Sequence, residues 1–198
     1  MILPNQLTTL RIILTPVFLV LFIMDDPLCK QISVAVFVLA ALTDWYDGWL
    51  ARKFNYITAW GKFMDPLADK ILTSTAFFAF AAIGILELWM VVIIVLRDLI
   101  VTGLRLYAEF KKKSFTTSLL AKWKTMIQMA FLYLLLLIYV ATTFDYFYSG
   151  NESLFETILY SDYTYYSMLF VTLFTLITGI TYLYSNRLLI KNLIKFED

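Results

Sequence analysis

The chain has 198 residues, of which 61% are apolar and only 16% are charged, and its mean hydropathy is +0.77. An ordinary soluble domain is about 45–50% apolar, so this composition excludes a water-soluble globular protein and predicts one that lies among membrane lipids. The formal net charge of +1, one cysteine and no histidine give no sign of a nucleic-acid partner and exclude an internal disulfide and a histidine-based metal or triad site.

Apolar runs long enough to cross about 30 Å of hydrocarbon follow one another along the chain. In order they are Leu7–Met24, Ile32–Leu50, Pro66–Leu86, Leu88–Tyr107, Leu119–Phe144 and Tyr163–Tyr184. Short connections with turn-forming or charged residues separate them. The sequence therefore predicts an all-α integral membrane protein, with six transmembrane helices in a single domain over residues 1–198.

The charged residues divide between the two sides of this predicted bundle. If the N-terminus lies in the cytoplasm, the outer segments carry acidic residues and one lysine, Lys30, whereas nearly all other Lys and Arg fall inside. Lysine and arginine favour cytoplasmic loops. We therefore predict a multi-pass protein of the inner (plasma) membrane with both termini in the cytoplasm.

Four aspartates interrupt the apolar pattern between residues 44 and 69. Asp44 and Asp47 are three residues apart and Asp65 and Asp69 are four apart, so each pair shares one helix face. Gly48 lies on the same face as the first pair. A charge at membrane depth costs about 2.5–3.5 kcal/mol on insertion scales, so four such residues indicate a functional site that a ligand compensates.

The depth of both pairs follows from the helix rise. At about 1.5 Å per residue, Asp44 lies roughly 20 Å from Gln31 at the outer edge, and Asp65 lies roughly 28 Å from Gly84. Both pairs therefore fall near the cytoplasmic side of adjacent antiparallel helices, where the carboxylates can converge. Converging carboxylates form an all-oxygen site that suits Mg2+ or Mn2+, with one or two ions.

Two other interpretations of these aspartates are open. The carboxylates could form salt bridges with Arg52, Lys62 and Lys70 at the membrane surface. They could also belong to a cation transporter, although that function predicts internal repeats and acidic residues in the outer half of the membrane. The glycines Gly48 and Gly61 on the aspartate faces favour a site that a ligand approaches closely.

The stretch from residue 44 to residue 69 reads DWYDGWLAR, eight residues, then GKFMDPLAD. It resembles the motif D-x2-D-G-x2-A-R-x8-G-x3-D-x3-D of the CDP-alcohol phosphotransferases, and every fixed position is met. The resemblance implies a six-helix transmembrane fold, a homodimer, and two divalent ions held by the four aspartates. It also implies transfer of a phosphatidyl or similar group from a CDP-linked donor with release of CMP.

The resemblance assigns roles to individual residues. It makes Asp44, Asp47, Asp65 and Asp69 metal ligands, and Asp69 also the catalytic base that deprotonates the acceptor hydroxyl. Residues that match donor-binding positions, including those of the N-terminal segment, are Asn5, Thr8, Gly48, Arg52, Thr58 and Gly61.

The flanking segments resemble the branch of the family that makes phosphatidylglycerophosphate and CMP from CDP-diacylglycerol and sn-glycerol 3-phosphate. They are PNQLTTLR at 4–11, LRD at 96–98, TGLR at 102–105 and KWKT at 122–125. Asp98 departs from the glutamate usual in that branch. Inositol phosphate, serine or phosphatidylglycerol stays open as the acceptor.

A phosphate-bearing acceptor needs basic partners near the metal site. We expect them on the fourth and fifth helices, at Arg97, Arg105, Lys122 and Lys124. Each of these residues could instead extend its charge to lipid headgroups.

Overall fold

The computed structural model describes residues 3–54, 59–113, 115 and 119–194, without the side chains of residues 3, 4, 51, 52, 59, 62 and 192–194. In these ranges the chain forms helices and no strand. The helices are α1 Leu3–Ile23, α2 Pro27–Phe54, α3 Ala59–Ala82, α4 Leu88–Phe110, α5 Leu119–Ala141, α6 Asp145–Tyr148, α7 Glu152–Tyr160, α8 Asp162–Ser185 and α9 Arg187–Ile194. The predicted all-α class is confirmed.

The predicted apolar runs all lie in long helices, but some boundaries differ. Helix α3 begins at Ala59 and contains Pro66 in its interior, whereas the apolar pattern placed the start at Pro66. Lys62 and Asp65 interrupt the apolar pattern before this proline, but they are helical because backbone hydrogen bonding does not require an apolar side chain. A turn with Gly84 at φ +78°, a conformation that glycine adopts readily, joins α3 to α4.

Four segments of the described chain are long and apolar enough to cross a membrane. They are Asn5–Ile23, Pro27–Leu50, Leu119–Ala141 and Glu152–Ser185. Helices α3 and α4 are long but carry charged side chains in their interiors, among them Asp69 and Arg97. The chain is therefore a membrane protein. Its helices α3 and α4 are long enough to cross a membrane, but they contain more charged residues than the four apolar segments do.

An aromatic cluster fills the core at one end of the bundle. The ring of Phe22 on α1 packs against Phe80 on α3 and Tyr139 on α5, with centroids 5.1 and 4.8 Å apart. Phe18 packs against Phe37 on α2 at 5.3 Å. Such pairs stabilise a core beyond the area they bury, so this end holds the helices in register.

The same helix faces become polar towards the other end. On α1 the buried face runs from Phe22 and Phe18 to Arg11 and Thr8, with the spacing of three or four residues expected of one helical stripe. On α4 the apolar buried stripe of Met90, Val91, Ile94 and Val95 continues to the buried Asp98. The helical period therefore directs the polar ends of these stripes into the interior of the bundle.

Candidate active site

Arg11 joins the two aspartates of α2. Its side chain is fully buried, and Nη1 and Nη2 lie 2.6 Å from Asp44 Oδ1 and Asp47 Oδ2 respectively. Because the two aspartates are one turn apart on α2, a single guanidinium fork reaches both. Arg11 thus neutralises one charge of the pair and orients both carboxylates.

The aspartates of α3 have different partners. The Thr8 hydroxyl donates a 2.6 Å hydrogen bond to Asp65 Oδ1, and Lys70 Nζ lies 3.3 Å from Asp69 Oδ2. Asp44 interacts electrostatically with both Asp65 and Asp69. Helices α1, α2 and α3 therefore bring the four predicted carboxylates into one region.

This region is not a closed metal cage. Among the residues that the structure describes, no group of three His, Cys, Asp or Glu side chains has the spacing of a metal site. The side chains nonetheless supply only oxygen ligands, and the pair Asp44 and Asp47 holds a cationic guanidinium. The donor chemistry therefore fits a hard divalent cation.

The predicted donor-binding residues that the structure describes lie on α1, α2 and α3, the helices that contain the four carboxylates and the Thr8 hydroxyl bonded to Asp65. Asn5 is half-buried in the first turn of α1, and its backbone carbonyl accepts a hydrogen bond from the Thr9 hydroxyl. Gly48 lies in α2 beside Asp47, and Gly61 is buried in α3. Two predictions cannot be placed, since the Arg52 side chain and Thr58 lie outside the described residues.

A cavity of about 760 Å³ opens beside Asp69, between α3, α4, α5 and α8. Three of the four predicted acceptor-binding residues line it: Arg97 and Arg105 from α4, and Lys122 from α5. Arg105 and Lys122 are exposed. Asp69 thus belongs both to the carboxylate group and to a cavity rich in cationic side chains.

Lys124, the fourth predicted acceptor-binding residue, is placed differently. Its side chain is 1% exposed and its ammonium group pairs with Asp98. Lys124 and Gln128 lie one turn apart on the buried stripe of α5, and the Gln128 amide donates to Asp98 at 3.3 Å. Within the structure Lys124 therefore contacts a buried carboxylate.

Asp98 is the centre of a cationic cluster at the wall of the cavity. Besides Lys124, it pairs with Arg97 at 3.1 Å and lies 3.9 Å from Lys70. Three cations thus share one carboxylate, and two of them, Lys70 and Arg97, also line the cavity. The net positive charge of this cluster suits an anion.

Helix α8 forms a wall of the site that sequence analysis missed. Arg97 Nη2 donates to the Thr178 hydroxyl at 3.3 Å. A Cβ atom at Gly179 would lie 2.9 Å from Arg97 Cγ, so this glycine leaves room for the arginine. Buried Tyr182 lines the cavity. The spacing of Thr175, Thr178 and Tyr182 by three and four residues, which places them on one face of α8, is the signal that the sequence offers.

Comparison with known proteins extends the resemblance over most of the chain. The family model described as CDP-alcohol phosphatidyltransferase matches residues 1–178. A Rickettsia bellii protein named CDP-diacylglycerol–glycerol-3-phosphate 3-phosphatidyltransferase is 35% identical over 181 residues, covering 91% of this chain and 92% of that protein. Proteins of the same name from Bacillus subtilis and Wigglesworthia glossinidia brevipalpis are 37% and 39% identical, covering 64% and 67% of this chain and 72% and 75% of theirs.

Proposed function

The chain belongs to the CDP-alcohol phosphatidyltransferase family, and on that premise we propose that it makes phosphatidylglycerophosphate and CMP from CDP-diacylglycerol and sn-glycerol 3-phosphate. Relatives that carry this activity in their names align with most of the chain. The protein is accordingly an enzyme of phospholipid biosynthesis.

The position of Asp69 carries this proposal. It is the last aspartate of the motif, and it also lines the cavity that Arg97, Arg105 and Lys122 make cationic. A base at this junction can take a proton from an acceptor hydroxyl while the basic side chains hold the acceptor's phosphate. Lys124 serves the same site through its ion pair with Asp98.

The reaction is a displacement at phosphorus. Asp69 accepts the proton of a free acceptor hydroxyl, and the hydroxyl oxygen forms a bond to the phosphorus that carries diacylglycerol. The bond from that phosphorus to the oxygen of CMP breaks, and CMP leaves with the electron pair. Positioning of both substrates and stabilisation of negative charge by Arg97 and Arg105 lower the barrier.

Members of this family generally use a divalent metal. We assign the binding of Mg2+ or Mn2+, with two ions, to Asp44, Asp47, Asp65 and Asp69, whose donor set is all oxygen. When bound, such ions stabilise charge on phosphate oxygens. Arg11 keeps Asp44 and Asp47 oriented, and Thr8 does so for Asp65.

The CDP-linked donor binds beside these carboxylates. The proposed donor-binding residues are Asn5, Thr8, Gly48, Arg52, Thr58 and Gly61. The glycines allow close approach of the donor, and the Arg52 guanidinium is suited to pair with phosphate.

The proposed arrangement in the membrane completes this function. Six long helices, α1–α5 and α8, cross the inner membrane as one catalytic domain over residues 1–198, with both termini and the active site on the cytoplasmic side. The basic side chains at the polar end of the bundle support this orientation. Two chains form a homodimer.

Release of CMP from CDP-diacylglycerol by the purified protein tests the proposal. We expect turnover with sn-glycerol 3-phosphate and little with serine or inositol phosphate. Asp69→Asn removes the base and lowers kcat by about 100-fold or more, whereas Asp145→Asn, on the short helix α6, leaves it unchanged. Turnover only with another acceptor refutes the assigned acceptor, and full activity of Asp69→Asn refutes the assigned base.

A further inference from the structure

Helix α8 presents a line of buried polar side chains to the rest of the bundle. Thr172, Thr175, Thr178 and Tyr182 are all at least 96% buried, and their spacing of three or four residues places them on one helix face. Thr172 and Thr178 satisfy their hydroxyls on backbone carbonyls of α8 itself. The buried hydroxyls of Thr175 and Tyr182 have no hydrogen-bond partner among the described residues, and of these two only Tyr182 lines the cavity.

The Tyr182 hydroxyl is buried without a hydrogen-bond partner among the described residues. The residue is 4% exposed, its ring packs against Phe115 at 5.6 Å, and it lines the cavity that contains Asp69. Buried hydroxyls in folded proteins are almost always satisfied by protein, water or ligand. The cavity is where this hydroxyl can find a partner.

The charges around this hydroxyl indicate the chemistry of that partner. Among the residues that the structure describes, Arg105 and Arg97 interact electrostatically with it. Arg97 is held against α8 by its bond to Thr178, and it lies over Gly179. A phenol hydroxyl next to two guanidinium groups is suited to donate to an anionic oxygen, because both of these positive charges favour an acceptor there.

We propose that the Tyr182 hydroxyl donates a hydrogen bond to the phosphate group of the acceptor, together with Arg97 and Arg105. This assignment rests on the proposed function and adds α8 to the acceptor site. It also gives Tyr182 a part in specificity, since a site built to bond a polar group discriminates against acceptors that lack it.

Tyr182→Phe removes only the hydroxyl and tests the proposal. The purified protein in detergent micelles is assayed for CMP release, with sn-glycerol 3-phosphate and CDP-diacylglycerol each varied in turn. We expect KM for sn-glycerol 3-phosphate to rise about tenfold, with kcat and KM for CDP-diacylglycerol within about twofold of wild type. Tyr184→Phe is the matched control, because Tyr184 is exposed on the same helix.

A second measurement separates binding from folding. We compare Tm with and without sn-glycerol 3-phosphate, and expect the ligand to raise the Tm of Tyr182→Phe less than that of wild type at equal concentration. An unchanged KM, an equal rise of Tm, or a variant that does not fold overturns the proposal. In the last case the hydroxyl serves the fold.

The acceptor preference of the wild-type protein shows whether the proposed function fails, independently of the Tyr182 variant. Wild type that uses inositol phosphate and not sn-glycerol 3-phosphate refutes the assigned acceptor alone, and the same KM comparison with inositol phosphate then tests Tyr182. Wild type that uses only serine, which has no phosphate, overturns both proposals.

Discussion

Asp98→Asn should destabilise the protein and weaken acceptor binding together. The substitution keeps the shape of the side chain but removes the charge shared by Lys124, Arg97 and Lys70. Lys124 is then left as a buried ammonium without a carboxylate. Removing one partner of a buried ion pair costs about 3–5 kcal/mol. The lower figure applies here, because Arg97 and Lys70 reach the cavity and can be solvated.

A loss of about 3 kcal/mol corresponds to a fall in Tm of roughly 6–12 °C for a chain of this length. Thermal unfolding in detergent, followed by circular dichroism, measures it, and steady-state kinetics should show a raised KM for the acceptor. Asp98→Glu keeps the charge and should restore both values, while exposed Asp25→Asn serves as control. A Tm within about 2 °C of wild type for Asp98→Asn would refute the reasoning, since leaving a buried charge without its partner lowers the free energy of unfolding by more than that.

Two further substitutions test other parts of the site. Gly179→Ala should raise KM for the acceptor about tenfold, because the added methyl group would displace Arg97. Gly103→Ala is the control and should leave KM unchanged, because a Cβ there meets nothing within 4 Å. Equal kinetics of the two variants would count against this role of Gly179. Arg11→Met leaves Asp44 and Asp47 without their cation, so adding Mg2+ should raise its Tm by more than it raises that of wild type. Equal shifts in Tm would contradict the proposal that the Arg11 guanidinium and the metal bind the same two carboxylates, Asp44 and Asp47.

Several features of the site could be predicted from the sequence because they depend on helix periodicity. The spacing of Asp44 and Asp47 fixes their common face, and the next helix returns Asp65 and Asp69 to the same end of the bundle. The family motif then supplies their chemistry. Both inferences depend on the spacing of residues that are close together in the chain, and a single sequence shows this spacing directly.

Contacts between distant helices could not be predicted in the same way. The sequence places Arg11 among the inner cations and in the segment 4–11 that resembles one family branch, but its ion pairs with α2 depend on how α1 packs. The sequence predicts acceptor binding by Lys124 from its charge and position, but its ion pair with Asp98 depends on how α5 packs against α4. The proposed role of Tyr182 in acceptor binding depends on which helix closes the cavity. Periodicity predicts the helix face on which a residue lies, but not the helix that packs against this face.

The division of the helices into an aromatic end and a polar end has a consequence for evolution. Phe22, Phe80 and Tyr139 pack the core at one end, while Arg97 and Tyr182 line the cavity at the other. Mutations at the first end are selected chiefly through folding and those at the second chiefly through chemistry. We expect a gene copy of this protein to acquire a new acceptor by changes confined to the polar end, with its helix packing inherited intact.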